Sequence, residues 1–300
     1  VSLSKVHCAL SAGRDSIAAG TDVALQFNGS TSVTIAPHQA ITSDPVEFLL
    51  PPLTDLAVSI RFGSTPLDIT GHPGSRTTSY IEQGDAVSSP SLNASATVDH
   101  WYILSGVEIE ASRNTSALVT LGDSITDGRG STTNGNDRWP DELARRLQAD
   151  TNTEGVAILN QSIGGNAVTA GGLGPTAQLR FEHDVLNPRG VRWLIVFEGV
   201  NDIGSANDSG VASALVNAYT QFVKRAHAAN IKVYGATITP FNGHSYYSPE
   251  HENARQAVNA WIRDALLAAY DTGDHLHLNP AGYKAMAHAV DLSLFSPPDR

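Results

Sequence analysis

The residues of this chain that could do chemistry are a serine and, far along the sequence from it, an aspartate and a histidine that lie close together. Ser124 sits in "LGDSITDG", residues 121–128, a turn of glycines, aspartates and hydroxyls directly after a short apolar run. A serine at a strand-to-helix turn commonly caps the helix, and its hydroxyl is barely nucleophilic without a base to take the proton. Of the 11 histidines, His183 and His227 fall on predicted helix faces, and His38, His72 and His100 lie in a β-rich first part. The loop "DTGDHLHLNPAGY" is different, because it places Asp274 and His277 three residues apart. That spacing lets a carboxylate hold the far ring nitrogen, setting the tautomer and stabilising the cation formed when the near nitrogen takes a proton. Serine, histidine and aspartate together are the parts of acyl transfer. Asp271, Asp274, His275 and His277 are also ordinary zinc-ligand types. Alternate positions in an irregular loop, without a matching cluster elsewhere, argue against a metal centre.

Acyl transfer further needs hydrogen-bond donors where the oxyanion forms. Gly165 in "SIGGN" offers a backbone N–H that no side chain obstructs, Asn201 in "EGVND" offers a side-chain amide, and the Ser124 N–H is a third candidate at the start of a helix. Each has a plainer reading: Gly165 permits a tight turn and Asn201 caps a helix.

These residues need a scaffold that gathers them on one rim. From residue 117 onwards, continuously apolar runs ("ALVTLG", "VAILNQ", "VRWLIVFEG", "IKVYGATITP") alternate with stretches whose apolar residues recur three and four apart. Strands covered on both faces read this way, and the alternation predicts a parallel sheet wound with helices on both faces. Ligands bind beyond the carboxyl ends of such strands, which is where Ser124, Gly165 and Asn201 fall. The first part has period two instead, in Val23, Leu25 and Phe27, in Leu56, Val58, Ile60 and Phe62, and in Val107 and Ile109, with Pro- and Gly-bearing breaks between. Half-buried antiparallel strands in a β-sandwich-like module are expected there. The division predicted is 1–112 for the module and 113–300 for the catalytic domain.

"GDSITDG", "SIGGN", "GVND" and "DHLH", in this order, resemble the four blocks of the SGNH (GDSL-type) hydrolases, with the name letters on Ser124, Gly165, Asn201 and His277. The resemblance spans about residues 117–291. It implies a flavodoxin-like three-layer α/β/α fold and ester hydrolysis through a serine acyl-enzyme, with no metal or organic cofactor. Ser124 would be the nucleophile, His277 the general base and Asp274 its orienting group, with the oxyanion hole made by Ser124, Gly165 and Asn201. Asp123 belongs to the motif, as a brace of the turn or a substrate contact. The first part is similar to the β-module that precedes this domain in secreted bacterial and fungal members. Two departures are visible: such members start further upstream, and they carry a further strand and loop before the Asp/His block.

The formal net charge of −11 disfavours nucleic acid and anionic membrane surfaces as partners. No apolar run is long enough to span a bilayer, and the N-terminus shows no signal pattern. The single cysteine, Cys8, excludes an internal disulfide. Sequons at Asn28, Asn93, Asn114 and Asn207, with a fifth at Asn160, suit a secreted glycoprotein. Trp139, Tyr246 and Tyr247 could wall a cleft for a sugar ring, with core packing the alternative for Trp139. Apolar runs of the kind that form an interfacial lipase lid are absent. The expectation is a secreted esterase acting on short acyl or acetyl groups of small molecules or polysaccharides; the rival is a carbohydrate-binding protein that kept the fold without turnover.

Overall fold

A computed structural model describes residues 1–112, 114–207, 209–260 and 277–295. The chain divides into two compact units, Val1–Pro73 with Thr77–Gly106, and Gly74–Arg76 with Val107–Arg300. The break therefore lies between Gly106 and Val107 rather than after residue 112, and three residues of the first part are built into the second unit.

The first unit is antiparallel and strand-rich. Its long strand β1 (Ser2–Gly13) pairs with β2 (Ser16–Ile17), β3 (Val23–Ala24), β4 (Val33–Thr34) and β5 (Leu56–Ser64), and the β1–β5 pairing runs from Ser2↔Ser64 to Leu10↔Leu56. Strands β6 (Gly71–His72), β7 (Ser79–Ile81), β8 (Ala96–Val98) and β9 (Trp101–Tyr102) form two short antiparallel pairs, β6 with β9 and β7 with β8. Leu3, Val6 and Phe27 make a small core. The expected strand at Val107 and Ile109 does not form, and the two side chains are 54% and 65% exposed. Alternation with Glu108 and Glu110 offers an apolar face, but no strand among the described residues pairs with that backbone, so nothing stabilises the extended form.

The second unit is built on a parallel sheet of β10 (Ser116–Gly122), β11 (Val156–Ser162), β12 (Val191–Phe197) and β13 (Lys232–Gly235), in the order β11–β10–β12–β13. All seven residues of β10 are buried, as a strand flanked on both sides and covered on both faces must be. Its helices are α1 (Ser124–Asp127), α2 (Trp139–Ala149), α3 (Ala177–Phe181), α4 (Val200–Gly204), α5 (Val211–Ala228), α6 (Pro249–Asn259) and α7 (Pro280–Ala289). A π-turn, Glu182–Leu186, extends α3. Helix α2 buries Trp139, Leu143 and Leu147, four apart, and α5 buries Leu215, Ala218, Phe222 and Ala226, the one-face spacing that docks a helix on a sheet. Phe181 stacks on Phe222 with centroids 4.5 Å apart, joining α3 to α5. Arg146 of α2 donates to the Ala287 and Val290 carbonyls, joining α2 to the end of α7. This is the flavodoxin-like three-layer α/β/α arrangement.

Register decides where the loops emerge. Gly122 pairs with Ser162 on one side and Phe197 on the other, so β10, β11 and β12 end at one level. The strand order reverses between β10 and β12, the place where open α/β sheets bind ligands. All five sequon asparagines, Asn28, Asn93, Asn114, Asn160 and Asn207, are exposed, and the Asn160 side-chain amide also donates to the Thr126 carbonyl at 3.1 Å. Leu118, fully buried in the central strand, should be among the costliest core positions: Leu118→Ala is expected to lower the unfolding free energy by about 2–5 kcal/mol, measured by urea unfolding followed by tryptophan fluorescence.

Candidate active site

At the end of β10 the chain turns sharply into α1. Gly122 is required there, because a Cβ would stand 2.5 Å from Thr126 Oγ1 and 2.8 Å from the Phe197 carbonyl. Asp123 takes the capping position: its Oδ1 accepts from the Ile125 N–H at 3.0 Å, and its carbonyl accepts from Asp127 N at 2.8 Å. Gly128, at φ 99°, ends the helix one turn later with its N–H on the Ser124 carbonyl. The two readings of this turn are thus divided between neighbours. Asp123 is the cap, and Ser124, the first helical residue, has its side chain released for another partner.

That partner is His277. Its Nε2 lies 2.8 Å from Ser124 Oγ, with the imidazole 4% exposed. His277 and buried Leu278 immediately precede α7, where the Asn279 side chain caps the helix through the Gly282 N–H at 2.9 Å and Pro280 opens the first turn. Tyr283 of α7 donates to the Arg129 carbonyl at 2.6 Å, tying this helix to the segment just after α1. Asp274, with His275 and Asp271, lies outside the described residues.

The loops after β11 and β12 are fastened to the nucleophile turn and to one another. The Gly164 N–H donates to Asp127 Oδ2 at 2.8 Å, and the Asn201 side-chain amide donates to the Asn166 carbonyl at 2.7 Å. Gly165 adopts φ 76°, where a side chain would be strained and would also meet Leu173 Cδ1 at 2.9 Å. The Asp202 carboxylate accepts from the Val168 and Thr169 N–H groups and the Thr169 hydroxyl, at 2.7–2.9 Å. Arg180, 6% exposed, donates to Asn166 Oδ1 at 3.0 Å, to the Gln161 carbonyl at 2.5 Å, to the Gly122 carbonyl at 3.3 Å and to Asp184 Oδ2 at 2.8 Å. Sequence reasoning passed over Arg180 and Asp127. The one available signal for Arg180 was a cation in the middle of an otherwise apolar helical face, beside Ala177 and Phe181.

The expected cleft-lining residues fare differently. Trp139 is 2% exposed, with its indole N–H donating to Thr126 Oγ1 at 3.2 Å; it is a core residue packed under α1, because helix α2 turns its first apolar position inward. Asp123 is 1% exposed and spends its carboxylate on capping rather than on a cleft. Tyr246 is partly buried, and its hydroxyl donates to Asn201 Oδ1 at 3.1 Å, while Tyr247 is 41% exposed. Among the described residues, no three His, Cys, Asp or Glu side chains are grouped so as to hold a metal ion.

Beneath the rim lies a buried acidic cluster around Arg180. Glu198, at the end of β12, has no hydrogen-bond donor on either carboxylate oxygen among the described residues, and Arg180 Nη2 stands 3.6 Å away. Burial pushes the Glu198 carboxyl up to about 8, against the pull of Arg180. Burial likewise pushes Asp123 up to about 7, opposed by the Ile125 N–H. Both groups hold protons in the folded state that the unfolded chain releases near the ordinary carboxylate range. Their contribution to stability is therefore complete in acid and is lost as pH rises through about 7 and 8. The melting temperature of the wild type is expected to fall between about pH 5 and pH 9, and Glu198→Gln to flatten that fall, as differential scanning across the range would register.

A model of the GDSL-like lipase/acylhydrolase family matches residues 120–285. Among solved structures, the chain is similar to a lipolytic protein of the G-D-S-L family from Desulfitobacterium hafniense (18% identity, 58% of this chain and 97% of that one, TM-score 0.45). It is also similar to the acetylxylan esterase Axe2 from Geobacillus stearothermophilus (19% identity, 59% and 94%, TM-score 0.44) and to an acylhydrolase from Bacteroides fragilis (19% identity, 60% and 86%, TM-score 0.43). No curated protein matched. With the family model covering more than half of its length, the chain belongs to the GDSL-like lipase/acylhydrolase family.

Proposed function

We propose that this protein is a secreted serine esterase that hydrolyses carboxylic esters bearing short acyl or acetyl groups, on small molecules or on polysaccharides. The observation that carries the reading is the 2.8 Å approach of His277 Nε2 to Ser124 Oγ. Ser124 Oγ attacks the ester carbonyl carbon while His277 Nε2 takes its proton, and Asp274 is assigned the far ring nitrogen. The carbonyl π electrons move onto oxygen, and the N–H groups of Ser124 and Gly165 with the Asn201 amide receive the charge. The tetrahedral intermediate collapses, the imidazolium gives its proton to the departing alcohol, and an acyl-serine remains. Water then attacks the acyl carbon with His277 again as base; collapse of the second intermediate returns the proton to Ser124 and releases the acid.

Helix α1 supports the assignment, because N–H groups in a first turn have no intrahelical acceptor and face developing negative charge. For the alcohol side, exposed Tyr247 supports a ring-shaped substrate. The exposed sequon residues Asn28, Asn93, Asn114 and Asn207 support a secretory route, and no helix of the described residues is long and apolar enough to cross a membrane.

Wild-type protein should hydrolyse p-nitrophenyl acetate, and Ser124→Ala should lose at least about 10³-fold in kcat/KM; equal rates for the two would end the esterase reading. Asn201→Ala is expected to lower kcat by about 10²–10³ with little change in KM, since its amide works on charge that exists only after attack. A panel of acetylated xylan, acetylated pectin and medium-chain esters, read by release of the free acid, separates the substrate classes.

A further inference from the structure

We infer that Tyr246 is a positioning residue for the oxyanion site: its hydroxyl holds the Asn201 side chain in the one orientation that leaves an amide N–H facing the reacting carbonyl. The inference rests on the esterase reading above. It begins with the two groups that flank the Asn201 amide. On one side is the Asn166 backbone carbonyl, 2.7 Å from Nδ2. A carbonyl can only accept, so the nitrogen must be the atom that faces it. The amide oxygen therefore faces Tyr246, 3.1 Å from the phenolic oxygen, and the phenol must donate. Rotating the amide by half a turn would set two acceptors against each other at the Asn166 carbonyl and would offer the oxyanion an oxygen. Nδ2 carries two hydrogens; one is committed to Asn166, and the other remains for substrate.

Tyr246 is itself fixed well enough to impose this orientation. Its ring lies directly over Gly204, at the end of α4, where any Cβ would collide with it. His244 meets the ring edge-on, with centroids 4.7 Å apart and planes at 82°. The Tyr246 backbone carbonyl lies 2.6 Å from His251 Nδ1, and the other nitrogen of that imidazole is 3.1 Å from the Ala206 carbonyl, just beyond α4. The segment after β13 is thus strapped to α4, the helix that carries Asn201, with the phenol as the link that reaches the amide.

Steady-state kinetics of wild type, Tyr246→Phe, Asn201→Ala and the double variant on p-nitrophenyl acetate test this, with a thermal melt of each protein to confirm folding. Tyr246→Phe should lower kcat roughly tenfold and leave KM within about twofold. In the Asn201→Ala background the same substitution should change kcat by less than about twofold, because the group it positions is gone. A loss of equal size in both backgrounds, a rise in KM with kcat unchanged, or an undiminished kcat in Tyr246→Phe overturns the inference. Wild-type turnover no greater than that of Ser124→Ala overturns the esterase reading and this inference together; clear turnover with additive losses overturns the inference alone.

Discussion

Arg180 is a buried cation, and the architecture of the rim follows from how it is satisfied. An arginine this far from water is tolerated only if its fork of donors is matched by acceptors. The Gly122 carbonyl at the end of β10, the Gln161 carbonyl in β11, the Asn166 side chain in the following loop, and Asp184 one helical turn on supply them. The ends of two strands and one loop are therefore referred to a single rigid planar group. Asn166, oriented by that guanidinium, passes the constraint on: its amide nitrogen holds the Leu173 and Pro175 carbonyls, and its own carbonyl receives Asn201.

The nucleophile turn shows a division of labour that a single side chain could not provide. Had Ser124 been the cap, its hydroxyl would have been spent on a backbone N–H, and His277 would have faced an occupied oxygen. With Asp123 doing the capping, Ser124 contributes only its backbone to α1 and keeps Oγ for the imidazole. The cost is a carboxylate buried near Asp202 and Asp127, which burial and those neighbours push towards the neutral form. Glu198, lying under the loop that carries Asn201, is in the same position. The acidic cluster thus couples the protonation of the fold's interior to the elements that carry the proposed catalytic groups.

Much of the second unit was legible from the chain. Buried parallel strands leave continuous apolar runs, so β10 to β13 could be located, and each helix carried its inward stripe. The reading failed where pattern had no partner. Val107 and Ile109 alternate like a strand, yet a strand exists only if another backbone pairs with it, and that information is not local. For Trp139 the sequence left cleft wall and core packing both open, because aromatic residues serve both roles; only the inward turn of α2 decides for the core.

The sequence by itself determined which side chains could carry the proposed chemistry, because nucleophilic, basic and donor groups belong to particular residue types and sit in blocks at strand ends. Tertiary structure alone decided their relations. That Ser124 and His277, 153 positions apart, meet at 2.8 Å depends on the register that ends β10, β11 and β12 at one level and on the Tyr283 and Arg146 bonds that seat α7. The Asn201 amide is likewise held between the Asn166 carbonyl and the Tyr246 hydroxyl, and Arg180 ties the strand ends of the rim together. Hydrogen bonds of this kind have exacting distance and direction requirements, and a linear pattern of residue types carries neither.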